Sequence, residues 1–184
     1  LKTLIDLDIL EREVPVTEDS PEKSKRGLYK IKDNYLRFWF AFVYPNMSFI
    51  ESGHGRIVMD KIRKGLVRNH IAFVYEDVCA ERMWEMNAQG VWPFYFSKLG
   101  RYWDSKEEID IVAIDPDGKN LILGECKYWQ EPVGISVLRS LEAKAEMVAW
   151  EKGKRKTWLV LFSVNGFTKE LRAETRTDLQ LCEE

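Results

Sequence analysis

Histidine and cysteine, the side chains that most often bind zinc, are scarce in this 184-residue sequence. It has two histidines and three cysteines, Cys79, Cys126 and Cys182, which are far apart and have no CxxC spacing. An odd number of separated cysteines argues against a disulfide framework, and the lack of paired Cys or His ligands argues against a zinc site. We therefore expect reduced thiols and a cytoplasmic location.

The sequence also lacks long apolar runs, a signal peptide, a P-loop and an excess of positive charge. No segment reaches the roughly 20 apolar residues that a membrane helix needs, and no GxxxxGK(S/T) motif is present. The formal net charge is -2, so a nucleic-acid partner has to be argued from local patches. With 45% hydrophobic and 32% charged residues, the composition is that of a globular protein with a core.

Residues 1–33 have the pattern of a helix end followed by two strands around a polar loop. LKTLIDLDIL has helical spacing, ILEREVPV and GLYKIKD read as strands, and the polar TEDSPEKSKRG separates them. This order is that of the rear half of a winged-helix domain, with residues 17–27 as the wing tip. The two preceding helices are missing and Leu1 starts within an amphipathic pattern, so we expect a piece of a longer protein.

Residues 34–184 predict a second, α/β domain. NYLRFWFAFVYPN (34–46) predicts an aromatic helix that ends at Pro45, whereas the polar stretch 47–69 is hard to assign. Further elements are predicted in the order helix, strand, strand, helix, strand, at residues 70–86, 107–114, 121–129, 134–151 and 157–164. A short helix and a short strand end the pattern. A hairpin combined with a strand–helix–strand unit gives a mixed β-sheet flanked by helices.

The turn between the first two core strands predicts their register. Asp117-Gly118 is a favoured two-residue hairpin loop, in which both positions take positive φ. With this loop, Asp110 lies directly opposite Glu125 and its Cβ is about 5 Å away. Lys127 is two residues beyond Glu125, so it points to the same face. The pattern therefore brings two carboxylates and one ammonium group to one end of a hairpin.

The surroundings of this cluster favour a metal site. Both faces of the hairpin are mostly apolar, so the hairpin is central in the sheet. Two opposed carboxylates in such a site repel each other and raise each other's pKa, and a divalent cation between them removes that conflict. Oxygen ligands suit Mg²⁺. The alternative is structural, with Glu125 and Lys127 as an ordinary ion pair and Asp110 as a charge at a strand end.

The run EIDIVAI followed by LILGECKYW resembles the D…ExK signature of the PD-(D/E)xK, restriction-endonuclease-like nucleases. Nearly the whole chain also resembles the C-terminal region of an archaeal and bacterial ATPase family. EREVPVTE, YKIKDNYLRFWFAFVYPN, GECKYW and PVGISVLRSLEAKA carry that likeness. The resemblance implies an upstream P-loop ATPase, a winged helix and this nuclease-like domain.

The resemblance also implies roles for individual residues. Asp110 and Glu125 would ligate Mg²⁺ or Mn²⁺, with the carbonyl of Cys126 as a third protein ligand. Lys127 would hold the attacking water and stabilise charge on the phosphate. Glu76 matches an acidic residue that many members carry before the first core strand, where it would ligate a second metal or orient water. The alternative for Glu76 is an ordinary glutamate on a helix surface.

Basic residues suggest where DNA would be bound. Lys23, Lys25 and Arg26 belong to the predicted wing, where a winged helix often contacts DNA. Lys144, on the helix after the ExK strand, is a second candidate for a phosphate contact. Each of these positions can equally be a solvated surface, which is the commoner role of such residues.

Three functions are compatible with the sequence. The first is a Mg²⁺-dependent DNA endonuclease domain that is linked to an ATPase. The second is a catalytically inactive module that binds DNA or a protein partner and regulates the attached ATPase. The third is a docking domain that uses the aromatic segment 34–46. The intact set of Asp110, Glu125 and Lys127 favours the enzyme.

Overall fold

The computed structural model describes residues 1–183, which form two compact units. Residues 1–13 and 25–75 make the first unit, and residues 14–24 together with Glu76 onwards make the second. Each unit is described separately below. None of the helices in the described residues is long and apolar enough to cross a membrane.

The first unit opens with the predicted helix and two strands. Its elements are α1 (Lys2–Asp6), β1 (Leu10–Glu13), β2 (Leu28–Ile31), α2 (Asn34–Phe38), α3 (Met47–Glu51), α4 (Gly55–Leu66) and the start of α5 (Ala72–Ala88). β1 and β2 pair antiparallel, from Leu10 with Ile31 to Glu13 with Leu28. The predicted order of helix, strand, polar loop and strand is confirmed, and its assignment to a winged helix in residues 1–33 stays a prediction.

The prediction that Pro45 ends the aromatic helix is wrong. After α2 the chain continues as a π-helical turn, Trp39–Val43, and then as a 3-10 turn, Tyr44–Asn46, which contains Pro45. Proline has no N–H, but near the start of a helical turn this costs no hydrogen bond, since an N–H at that position would have no partner within the turn. Helical structure resumes at Met47, and the buried Asn46 side chain donates to the Phe42 carbonyl (2.7 Å) and accepts from Lys61 (2.7 Å).

The second unit contains the five-stranded sheet. Beyond α5 its elements are β3 (Lys98–Trp103), β4 (Glu108–Ile114), β5 (Asn120–Lys127), α6 (Ile135–Met147), β6 (Lys156–Ser163), α7 (Lys169–Arg172) and β7 (Leu179–Glu183). The strands lie in sequence order. Pairing is antiparallel from β3 to β5 and parallel from β5 to β7. The predicted mixed α/β sheet with flanking helices is confirmed.

Helix α6 connects the parallel strands β5 and β6 and covers one face of the sheet. Its apolar stripe, Val137, Leu138 and Leu141, is buried in one core cluster with Leu121 and Leu123 of β5. Burying each such side chain contributes roughly 1.5–3 kcal/mol. The helix ends at Met147, before the predicted residue 151. Arg155 donates to the Ala145 carbonyl (2.9 Å), so this carbonyl at the helix end is satisfied without another turn.

The turn between β4 and β5 differs from the predicted one, but the register is the predicted one. Gly118 N–H donates to the Asp115 carbonyl (3.2 Å), and Asp115 pairs with Asn120 across a four-residue loop. Only Gly118 in this loop has positive φ, which excludes the expected type I′ turn. Both loops are centred between Asp117 and Gly118, so Ile111 still pairs with Gly124 and Ile114 with Leu121.

A β-bulge interrupts the pairing of β3 with β4 at Asp110. Gly100 pairs with Val112 and Tyr102 with Ile109, so the single residue Arg101 of β3 faces two residues, Asp110 and Ile111. Bulges of this kind redirect side chains and are common beside active sites. The sequence predicts that Asp110 pairs directly with Glu125. In the structure the last regular pair is Ile111 with Gly124, and Asp110 lies one position beyond it.

Candidate active site

Four side chains from three elements meet at the end of the β4–β5 hairpin. They are Asp110 of β4, Glu125 and Lys127 of β5, and Lys144 of α6, and we call them the carboxylate–lysine cluster. Their side chains are only 7–22% exposed to solvent. The three residues predicted to meet therefore do meet, and Lys144 is a fourth member.

Lys127 bridges the two carboxylates. Its ammonium group donates to Glu125 Oε2 and lies 3.7 Å from Asp110 Oδ2. Burial alone would lower the pKa of Lys127, but the negative charges of Glu125 and Asp110 raise it above its ordinary value. Lys127 is therefore a cation at neutral pH.

Lys144 holds the other oxygen of Glu125. Its ammonium group donates to Glu125 Oε1 (2.5 Å) and to the main-chain carbonyl of Glu108 in β4 (2.7 Å). The same lysine thus connects α6, β4 and β5. The interpretation of Lys144 as a solvated helix residue is wrong, while its contact with a phosphate stays a prediction.

Asp110 is held by the backbone but is electrostatically strained. Its Oδ2 accepts a hydrogen bond from the Cys126 N–H (2.9 Å). Burial raises the pKa of Asp110, and the charge of Glu125 raises it further, against the opposing effect of Lys127. Asp110 and Glu125 lie on the same face of the hairpin and their negative charges repel each other, as the sequence predicts.

Glu76 of α5 extends the acidic region. Burial and then the charge of Asp110 raise the pKa of Glu76 to about 7, although Arg101 acts in the opposite direction. Arg101 of β3 lies 3.6 Å from Glu76 and is also paired with Glu108. Glu76 is thus part-buried and interacts with Asp110, so it is not an ordinary surface glutamate.

The oxygen donors of the cluster fit a hard divalent cation. Within residues 1–183, no group of three or more His, Cys, Asp and Glu side chains is arranged around a common metal position. Mg²⁺ is nevertheless commonly bound by one or two carboxylates together with water and other oxygens. Burial and the charge of Glu125 raise the pKa of Asp110, and a nearby divalent cation would oppose both effects. Asp110 and Glu125, with the Cys126 carbonyl, are therefore the candidate ligands.

The Cys126 thiol is not a candidate ligand or nucleophile. Burial raises its pKa well above the ordinary value, and its hydrogen bond with the buried Cys79 thiol raises it further. The reactive form of cysteine is the thiolate, which this environment disfavours. Cys126 contributes to the site through its main chain alone.

Arg101 and the β-bulge are the features that the sequence interpretation missed. Strand β3 was not predicted, because Gly100 and the charged Arg101 interrupt its alternation. The aromatic pair Tyr102-Trp103 was the signal that could have indicated a strand here. The predicted DNA-binding residues Lys23, Lys25 and Arg26 are exposed on the loop between β1 and β2, and their contact with DNA stays a prediction.

Comparison with known proteins finds a similar sequence and a similar solved structure. An uncharacterised protein of Methanocaldococcus jannaschii, MJECL04, is 40% identical over 128 residues, which are 70% of this chain and 28% of that protein. The chain thus spans less than a third of that relative. A solved structure, a repair endonuclease from Pyrococcus abyssi, is similar over 47% of this chain and 38% of its own, with 13% identity and a TM-score of 0.32. A likeness at that level does not establish a common activity.

A family match covers the site itself. The DUF234 family, described as archaeal and bacterial proteins of unknown function, matches residues 39–147. That range is more than half of the chain and includes the complete carboxylate–lysine cluster. The link to an upstream P-loop ATPase stays a prediction. The chain belongs to the DUF234 family of archaeal and bacterial proteins of unknown function.

Proposed function

We propose that this chain contains a Mg²⁺- or Mn²⁺-dependent DNA endonuclease domain of the PD-(D/E)xK, restriction-endonuclease-like class, and that it acts within an ATPase-linked protein. One observation carries the proposal: Asp110, Glu125 and Lys127 converge, nearly buried, at the end of a central hairpin. Two carboxylates and a lysine in this arrangement supply the charges that phosphodiester hydrolysis needs.

Each residue has a role in this proposal. Asp110 and Glu125 would hold the cation, with the Cys126 carbonyl as a third protein oxygen. A bound Mg²⁺ supplies Lewis-acid polarisation of the scissile phosphate and lowers the pKa of a water molecule. The Lys127 ammonium group would hold the attacking water and stabilise negative charge that develops on the phosphate.

Two further residues support these roles. Lys144 fixes the orientation of Glu125 through its hydrogen bond to Oε1 (2.5 Å). Glu76, whose pKa is raised to about 7, changes protonation near neutral pH. That property suits a group that orients water or exchanges a proton with it.

One observation favours a second candidate, a catalytically inactive module that binds DNA or a protein partner and regulates the attached ATPase. Both carboxylate oxygens of Glu125 already have an ammonium partner, Lys127 at one and Lys144 at the other. With Asp110, the four side chains carry two negative and two positive charges, so the cluster is close to neutral without a cation.

Cleavage of DNA separates the two candidates. The protein is incubated with supercoiled, linear and branched DNA in Mg²⁺ or Mn²⁺, beside Lys127→Ala and the control Lys119→Ala. Lys119 lies at the other end of the same hairpin and its side chain is 74% exposed. Lys127→Ala should lower the rate by about 10²–10³-fold, the cost of removing one group that stabilises charge at a reacting centre. Lys119→Ala should cleave like the wild type.

The opposite results reject the enzyme. Metal-independent DNA binding by the wild type without any cleavage favours the inactive module. Equal cleavage by Lys127→Ala and the wild type removes Lys127 from the chemistry.

A further inference from the structure

Trp129 lies two residues beyond Lys127, and its aromatic ring is near the carboxylate–lysine cluster. The residue is 48% exposed, although tryptophan is usually well buried. The Lys127 ammonium group lies 5.9 Å from the centre of the Trp129 ring. An exposed flat aromatic surface therefore adjoins the lysine that would contact the scissile phosphate.

The backbone that carries Trp129 is anchored on both sides. Before it, Val164 N–H donates to the Lys127 carbonyl (3.4 Å), and the Asn165 side chain donates to the Trp129 carbonyl itself (2.5 Å). After it, Val133 forms a bridge with Phe167. The ring therefore projects from a supported segment, and this is how a binding surface is held in place before its ligand arrives.

The surroundings of Trp129 favour a nucleobase over an apolar protein partner. Lys127 lies on one side of it in the chain, and the residues that follow, Gln130 and Glu131, are exposed and polar. A protein partner usually covers such a tryptophan within a larger apolar patch. A base stacks on an indole through its face, while its own phosphate needs a nearby cation, which Lys127 supplies.

We propose that Trp129 is a stacking platform for an unpaired base next to the phosphate that is cleaved. This inference rests on the proposed nuclease function and specifies its substrate class. Bases inside a duplex are stacked on each other, so they reach an outside ring only where a strand is single, bulged or branched. Trp129 thus selects nucleic acid with an unpaired nucleotide at the site.

The test is DNA binding in EDTA, where cleavage cannot interfere. Fluorescence anisotropy is measured with two labelled ligands, an oligothymidylate of about 20 nucleotides and a blunt duplex of equal length. Every nucleotide of the oligothymidylate has a base that can stack on an aromatic ring. Trp129→Ala should weaken binding to the single strand by about tenfold or more and leave duplex binding within about twofold. Trp129→Phe, which keeps an aromatic face, should recover most of the loss.

Trp84→Ala is the matched control. Trp84, in helix α5, is 45% exposed, but its ring packs against Phe96 at 4.8 Å. The control should bind both DNAs like the wild type.

A second measurement needs no variant of the protein. The wild type is tested with a duplex that has one bulged thymidine and with the same duplex whose bulged nucleotide is abasic. The abasic bulge keeps the phosphate and removes the base, and it should bind about tenfold more weakly.

Several results overturn the inference. They are wild-type affinity of Trp129→Ala for the single strand, equal losses on single strand and duplex, equal binding of the two bulges, or no measurable binding of any DNA. Retained single-strand binding by Trp129→Ala would leave the indole as a contact for a protein partner. If binding depends on Trp129 but no cleavage occurs in Mg²⁺ or Mn²⁺, the nuclease function is rejected and the stacking platform is retained. Cleavage of DNA with an unpaired base by Trp129→Ala at the wild-type rate rejects the stacking platform but not the nuclease.

Discussion

Helix α6 contributes to two groups of charged side chains that differ in how well their acids are compensated. One is the carboxylate–lysine cluster, to which α6 gives Lys144. The other, which we call the surface network, joins Arg139 and Glu142 of α6 to Arg176 and Asp178. The side chains of the surface network are 26–58% exposed, against 7–22% in the cluster.

The pKa of Asp110 in the cluster shifts in the opposite direction to the pKa values of Glu142 and Asp178 in the surface network. In the surface network, hydrogen bonds from Arg176 lower the pKa of Asp178, and Arg139 and Arg176 lower that of Glu142 against the effect of burial. In the cluster, burial and the charge of Glu125 raise the pKa of Asp110. The acids of the surface network are thus compensated by their own partners, whereas Asp110, which is buried beside Glu125, is not fully compensated by Lys127.

The largest expected difference is in the pH dependence of stability, and it separates Glu76, which interacts with Asp110 of the cluster, from the surface network. The pKa of Glu76 rises from its ordinary 4.5 to about 7 in the folded protein, so folding favours the protonated carboxyl. In EDTA, the free energy of unfolding of the wild type relative to Glu76→Gln should fall between pH 4.5 and 7, by on the order of 2–3 kcal/mol. Denaturant titrations at several pH values measure it.

The surface network provides the control with the opposite sign. Because the pKa of Glu142 is lowered, its contribution is present above the ordinary pKa and is lost as the pH falls through the lowered one. The free energy of unfolding of the wild type relative to Glu142→Gln should therefore fall toward acid. If the difference in the free energy of unfolding between the wild type and Glu76→Gln did not change with pH, the electrostatic account of the site would be contradicted.

Matched Asp→Asn substitutions give a smaller difference, again of opposite sign. Asp110→Asn removes one of two repelling acids and keeps an oxygen for the Cys126 N–H, so in EDTA at neutral pH it should raise the free energy of unfolding. A gain of about 0.5–2 kcal/mol is common when strain at a functional site is relieved. Asp178→Asn breaks the two-point contact with Arg176 and should lower it by about 0.5–1 kcal/mol.

Thermal unfolding followed by circular dichroism, with the wild type beside both variants, checks this pair. Destabilisation by both substitutions would mean that Asp110 is as well compensated as Asp178. The distinction between a strained and a satisfied group of charges would then be lost.

The sequence is sufficient to predict the features that depend on neighbouring segments of the chain, such as the register of the β4–β5 hairpin. The register that brings Asp110, Glu125 and Lys127 together depends on one turn, and its centre can be read from Asp117-Gly118. The turn type was mispredicted without consequence, since a four-residue loop with the same centre gives the same pairing. The requirement for glycine at position 124, by contrast, is explained only by the structure, because a Cβ there would come within 2.5 Å of the Val160 side chain.

The remaining features depend on contacts between distant segments. Lys144 meets Glu125 through the packing of α6 on the sheet, although its place next to Ala145 in the apolar stripe is a usable signal. The β-bulge at Asp110 exists because β3 pairs with β4, and β3 carries a weak strand pattern. Arg101, and with it the partner of Glu76, could not be predicted without that strand.

Metal-dependent DNA cleavage by the same two Asp→Asn variants tests the central claim most directly. Rates are measured in Mn²⁺ and Mg²⁺ on DNA with an unpaired segment, for the wild type, Asp110→Asn and Asp178→Asn. We expect a rate about 10²-fold or more lower for Asp110→Asn and an unchanged rate for Asp178→Asn, because only the first acid is proposed to hold the cation that polarises the phosphate. Equal rates for Asp110→Asn and the wild type, or no cleavage by the wild type under any of these conditions, would contradict a nuclease centre at the carboxylate–lysine cluster.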